Sequence, residues 1–124
     1  MADVIAERAR ERDTLIELAR GYVKRLSADH SLVAAFVVGS VARGDFNVWS
    51  DVDVVVVADN LPIRAPDRTR ALGQFAPPRV QPIGFTPEEF RAAHAKGNPL
   101  AREAMEIGIP VAGADPEREP RDGR

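Results

Sequence analysis

The run Val52-Asp53-Val54-Val55-Val56-Val57-Ala58 limits the fold more than any other stretch of this chain. β-Branched residues fit extended backbone, and successive strand residues point to opposite faces of a sheet. Four valines in a row therefore predict a strand buried on both faces, with helices covering at least part of its sheet. The start of the run is polar. Asp51 and Asp53 are spaced i, i+2, so on a strand they share a face, roughly 7 Å apart at about 3.3 Å rise per residue. Two carboxylates on one face repel each other unless a cation is present. An all-oxygen pair suits Mg²⁺, which is usually shared between one or two carboxylates and substrate phosphates. Upstream lies Gly39-Ser40-Val41-Ala42-Arg43-Gly44. Glycine allows close backbone approach, and such a turn offers backbone N–H groups and a hydroxyl to a phosphate. Together the two halves predict a site for a metal-bound nucleoside triphosphate. The turn is not a Walker loop: its glycines have that spacing, but Asp45 stands where the lysine is required.

The rest of the chain reads as alternating helices and strands. Leu15, Leu18, Ala19, Tyr22, Val23 and Leu26 mark one face of a helix over residues 4–27, whose charged early turns, 7–13, are expected to run past the core. A turn over 27–31 precedes an apolar strand over 32–38, and Ser40 is a candidate cap for a short helix. Residues 59–66 read as a loop punctuated by Pro62 and Pro66, followed by a helix over 67–75. Residues 80–85 form a strand in which Pro82 demands an edge or a bulge. Thr86-Pro87-Glu88-Glu89 has the form of a capping box, opening a helix to Ala95. Asn98-Pro99 opens another, ended by Gly108, with a last short strand over 109–112. The prediction is an α+β (mixed α/β) domain over 1–112 with a small mixed sheet flanked by helices. Residues 113–124, rich in Pro, Gly and charge, are expected to form a disordered tail.

The pattern Gly-Ser-x-x-x-Gly followed by Ser-Asp-x-Asp, within residues 39–57, resembles the polymerase-β-type nucleotidyltransferase superfamily. Within it, the chain looks most like the minimal nucleotidyltransferases, small prokaryotic proteins often paired with a HEPN-domain partner. Element order extends the resemblance from about residue 10 to residue 112. It implies a nucleotidyltransferase-like fold and transfer of a nucleoside monophosphate from a Mg²⁺-bound triphosphate, ATP first among them, to a protein or other acceptor. Asp51 and Asp53 would be the catalytic metal ligands, and Gly39, Ser40, Arg43 and Gly44 the nucleotide-binding residues. A HEPN-domain toxin would be the partner, which makes this chain an antitoxin. The family usually supplies a third carboxylate from the next strand. The best-matched position here is Gln81, whose amide lacks the charge and basicity of a carboxylate. That departure favours a second reading, a catalytically weak or inactive nucleotide-binding or regulatory module.

Composition narrows the field. A net charge of −2 makes no electrostatic case for non-specific nucleic-acid binding. No run approaches the roughly 18 to 20 apolar residues of a membrane span. The absence of cysteine excludes disulfides, thiolate zinc sites and cysteine nucleophiles, and fits a cytoplasmic protein. A homo-oligomer stays open. His30 and His94 lack metal-ligand spacing and read as surface or turn residues. Trp49 is expected to pack the motif loop rather than stack on a base. Ser50 is expected to cap its turn, and Arg64, Arg68 and Arg70 to form a solvated helix face.

Overall fold

The computed structural model describes residues 2–113. Within them the chain forms α1 (Ala2–Leu26), β1 (Leu32–Val38), α2 (Gly39–Arg43), β2 (Val52–Ala58), α3 (Ala65–Gly73), β3 (Val80–Phe85), α4 (Pro87–Ala95), α5 (Pro99–Glu106) and β4 (Ile109–Gly113). The strands form one mixed sheet in the order β3-β2-β1-β4. β1 pairs antiparallel with both β2 and β4, and β2 pairs parallel with β3.

The valine run lies inside this sheet and is buried on both faces, as its composition requires. Val52, Val54 and Val56 join Leu15, Tyr22, Leu26 and Leu72 in a core beneath α1 and α3. Val55 and Val57 turn the other way and meet Phe36, Phe90, Ala101 and Ala104 beneath α4 and α5. Each fully buried valine contributes about 1.5–3 kcal/mol relative to exposure. The Tyr22 hydroxyl spans the first core and donates to the Leu72 carbonyl at 2.8 Å. Burial pushes its pKa well above the usual phenol value.

The capping box at Thr86 and Glu89 closes in both directions, and Pro82 lies on the edge strand β3. Three expectations need correction. α3 begins at Ala65 rather than at 67, because Pro66 occupies the first turn, where its missing N–H costs nothing. Ser40 does not cap α2. β1 runs straight into that helix, so Val38 holds the cap position and makes no side-chain cap bond. α1 starts at Ala2, earlier than the apolar pattern alone indicated. Apart from Gly113, which extends β4, the expected tail over 113–124 lies outside the described residues.

Candidate active site

The end of β1 and the starts of β2, β3 and β4 meet at one margin of the sheet, with Ile109 opposite Val37. Asp53 sits there between Val38 of β1 and Gln81 of β3. Alternation along β2 turns its side chain to the face that carries α4 and α5, since Val52 and Val54 point to the α1 core. Gln81 is paired with Asp53 and shares that face.

The glycine turn closes on this carboxylate. Gly39 has φ +72°, a left-handed conformation that side chains rarely adopt. A Cβ there would lie 2.5 Å from Asp53 Oδ2 and 3.4 Å from its Cγ. Asp53 thus fills the space that a side chain would occupy, and its oxygen lies directly against the turn. Ser40 and Arg43 follow on α2, and no hydrogen bond from the Ser40 hydroxyl occurs among the described residues. Gly44 ends the helix in a left-handed conformation, its N–H donating to Ser40 O at 2.8 Å. It lies at the far end of α2 from Gly39.

Sequence reasoning missed what holds this turn. Arg12 of α1 donates from Nε to Val41 O and from Nη2 to Ala42 O, both at 2.8 Å. Arg8 donates to the carbonyls of Gly44 and Phe46, and its guanidinium lies 4.3 Å from the Phe46 ring centre. The last carbonyls of a helix lack intrahelical partners, and these two arginines supply them. The charged early turns of α1 do run past the core, which begins at Leu15, and from there Arg8 and Arg12 reach across to α2 and its following loop.

Charge is concentrated at the same place. Burial raises the pKa of Asp53, Asp51 and Glu103 raise it further, and Arg43 opposes them. Arg43 donates from Nη1 to Glu103 Oε2 at 2.9 Å and more loosely from Nε to Asp45 Oδ2 at 3.4 Å. These bonds, the one to Glu103 first, raise its pKa. Glu103 also accepts the Gly39 N–H on Oε1 at 2.9 Å. Sequence reading did not single out Glu103. Its signal was a charge at the margin of the apolar stripe formed by Leu100, Ala101 and Ala104.

The donor set fits a hard divalent cation of the Mg²⁺ type. Asp51 and Asp53 supply oxygens only, and Asp53 carries a charge that its surroundings oppose. No cluster of three or more acidic, His or Cys side chains poised to hold a metal occurs among the described residues.

The loop into the site is locally fixed. Ser50 accepts the Asn47 N–H on its hydroxyl at 2.9 Å, as expected of a turn cap, and Arg79 donates to the Ser50 carbonyl. Trp49 does not pack this loop: it is 87% exposed, and buried Phe46 anchors the segment instead. Arg68 is not part of a solvated face. It is mostly buried, pairs with Glu89 at 2.6 Å and donates to Pro62 O. A cleft of about 640 Å³ opens between α3 and β3, lined among others by Arg68, Thr69, Leu72, Gln81 and Ile83.

Comparison with known proteins follows the same lines. The nucleotidyltransferase domain family matches residues 16–93, more than half of the chain and all of the motif region. A crystal structure of a candidate nucleotidyltransferase from Sulfolobus solfataricus superposes with a TM-score of 0.63 at 18% sequence identity, covering 83% of this chain and 84% of that one. That likeness is one of fold. No curated protein sequence matches this chain significantly.

Proposed function

The chain belongs to the nucleotidyltransferase domain family, and from that premise we propose that it transfers a nucleoside monophosphate, AMP from ATP in the first instance, to a protein or other acceptor. The observation that carries this reading is the seating of the Asp53 carboxylate against the Gly39 turn, where a Cβ would lie 2.5 Å from its oxygen. A triphosphate laid along Gly39, Ser40 and Arg43, with Gly44 closing the turn, would bring its phosphates beside Asp51 and Asp53. The two aspartates would hold Mg²⁺, which when bound neutralises charge on the phosphates and on the departing pyrophosphate. An acceptor hydroxyl would attack the α-phosphorus and give its proton to water, a P–O bond forming as the bond to pyrophosphate breaks. By analogy with the minimal nucleotidyltransferases, the acceptor would be a cytoplasmic HEPN-domain partner.

A specific observation favours a slow enzyme. Gln81 is paired with Asp53 on the same face, the position suited to a third acid. An amide can neither take the acceptor's proton nor add negative charge to hold a second metal. ATP binding survives that loss, and transfer should suffer most. Gln81→Glu or Gln81→Asp is therefore expected to raise transfer of labelled AMP, by about tenfold or more on the scale of general base catalysis. Robust wild-type transfer that both substitutions lower would overturn this placement. Should neither wild type nor variants release pyrophosphate while all bind ATP, the chain would instead be a nucleotide-binding regulatory module.

Ser40 tests the turn separately. Its hydroxyl makes no hydrogen bond among the described residues, so Ser40→Ala is expected to leave the melting temperature unchanged. Nucleotide affinity should fall by about 1.5–3 kcal/mol, the worth of a hydrogen bond to a charged group. Equal affinity in titration calorimetry would leave Ser40 without a binding role.

A further inference from the structure

Glu103 lies beyond the region matched by the family, yet it reaches the centre of the site. The chain path explains how. β4 begins opposite Val37, two residues before Gly39, and α5 leads into β4 through Ile107 and Gly108. The Asn98 side chain fixes the start of α5, accepting the N–H groups of Leu100 and Ala101 at 2.9 and 3.2 Å. Ala101 and Ala104 are buried against the sheet. Glu103 is thereby held over the end of β1, with its side chain only 22% exposed.

Both of its carboxylate oxygens are engaged. Oε1 takes the Gly39 N–H and Oε2 the Arg43 guanidinium, each at 2.9 Å. A bridging anion between a backbone N–H and a guanidinium is also how a phosphate group would sit there. We propose that Glu103 is an internal competitor for the nucleotide: its carboxylate holds the two donors that a triphosphate oxygen must take. Nucleotide binding then exchanges one anion for another, and the strength of the Glu103 contacts sets the affinity. This rests on the nucleotide reading above and adds a device that regulates the same site. Release needs only rotation of one side chain, since the backbone of α5 is fixed at both ends.

Asp45 supplies the control. It also pairs with Arg43, at 3.4 Å, but it does not touch Gly39 and is 64% exposed. Asp45→Asn removes the same unit of charge near the site without vacating the two donors. The experiment is titration calorimetry on the full chain with two probes, ATP with Mg²⁺ and inorganic tripolyphosphate with Mg²⁺. Glu103→Gln is expected to tighten both by at least about tenfold, and Asp45→Asn by less than about threefold. Glu103→Ala serves as a second variant, and ligand-free melting curves identify any variant that has lost its fold. Unchanged or weaker binding in folded Glu103 variants overturns the proposal. Equal gains in Glu103→Gln and Asp45→Asn overturn it too, because charge alone would then explain the effect. A gain for tripolyphosphate with no ATP binding in any variant supports the competing anion while refuting the nucleotide reading. Failure of every variant to bind either probe refutes both.

Discussion

Asp53→Asn is expected to abolish the metal-dependent part of triphosphate binding and to lower nucleotidyl transfer by about 10²–10³-fold, the scale of losing one preorganised electrostatic stabiliser. Asp53 is the acid seated against Gly39, and Asn keeps its shape while removing the charge that would hold a cation. The same change should stabilise the metal-free protein. Burial, with Asp51 and Glu103 adding to it, raises the pKa of Asp53 in the folded state. A carboxyl with a raised folded-state pKa binds its proton more tightly in the native chain. Its favourable contribution is present below the ordinary aspartate pKa and is lost as pH rises through the raised value. At neutral pH the ionised group therefore opposes folding until a cation arrives. The variant should melt above wild type at pH 7 without metal, with the difference closing in acid, and adding Mg²⁺ to ATP should raise the melting temperature further in wild type only. Equal stabilisation of both proteins by Mg²⁺ and ATP would remove Asp53 from the metal site.

The second large effect belongs to Gly39→Ala. Gly44→Ala separates its two causes. Both glycines have positive φ, +72° and +92°, so both substitutions meet backbone strain of about 1 kcal/mol or somewhat more. A Cβ at Gly44 meets nothing within 4 Å, whereas one at Gly39 lies 2.5 Å from Asp53 Oδ2. The alanine at 44 should cost stability alone. The alanine at 39 should cost roughly 2–4 kcal/mol, as overpacking adds to strain, and should also displace Asp53 and eliminate binding of ATP with Mg²⁺. Chemical denaturation and calorimetry on both variants test this. Wild-type affinity in folded Gly39→Ala would show that the turn and the carboxylate act independently.

Strands were the most legible part of the sequence. β1, β2 and β3 carry apolar runs ended by glycine, charge or a turn, so their bounds follow from composition. Helix starts were less so, because proline breaks a helix interior yet suits a first turn: Thr86-Pro87 was unmistakable, while Pro66 was misread as loop punctuation. The Gly39 and Asp53 halves of the candidate site are each a local pattern, which the structure brings together, and Gln81 was picked out by the family resemblance and its place on β3. Arg8, Arg12 and Glu103 were not legible as site residues. Their roles depend on contacts across 29 to 64 residues of chain, which no local period records. Trp49 was misjudged because a large aromatic near a motif predicts packing, and Phe46, three residues earlier, had already filled that place.

The two outer strands of the sheet, β3 and β4, each contain a proline, Pro82 and Pro110. A proline offers no N–H to an incoming strand, and on an outer strand it is tolerated where that missing donor faces away from the sheet. Among the described residues, then, both margins are poor templates for strand addition. A second copy or a partner chain would find little at these margins to continue the sheet. The protein should accordingly resist edge-to-edge aggregation even when concentrated.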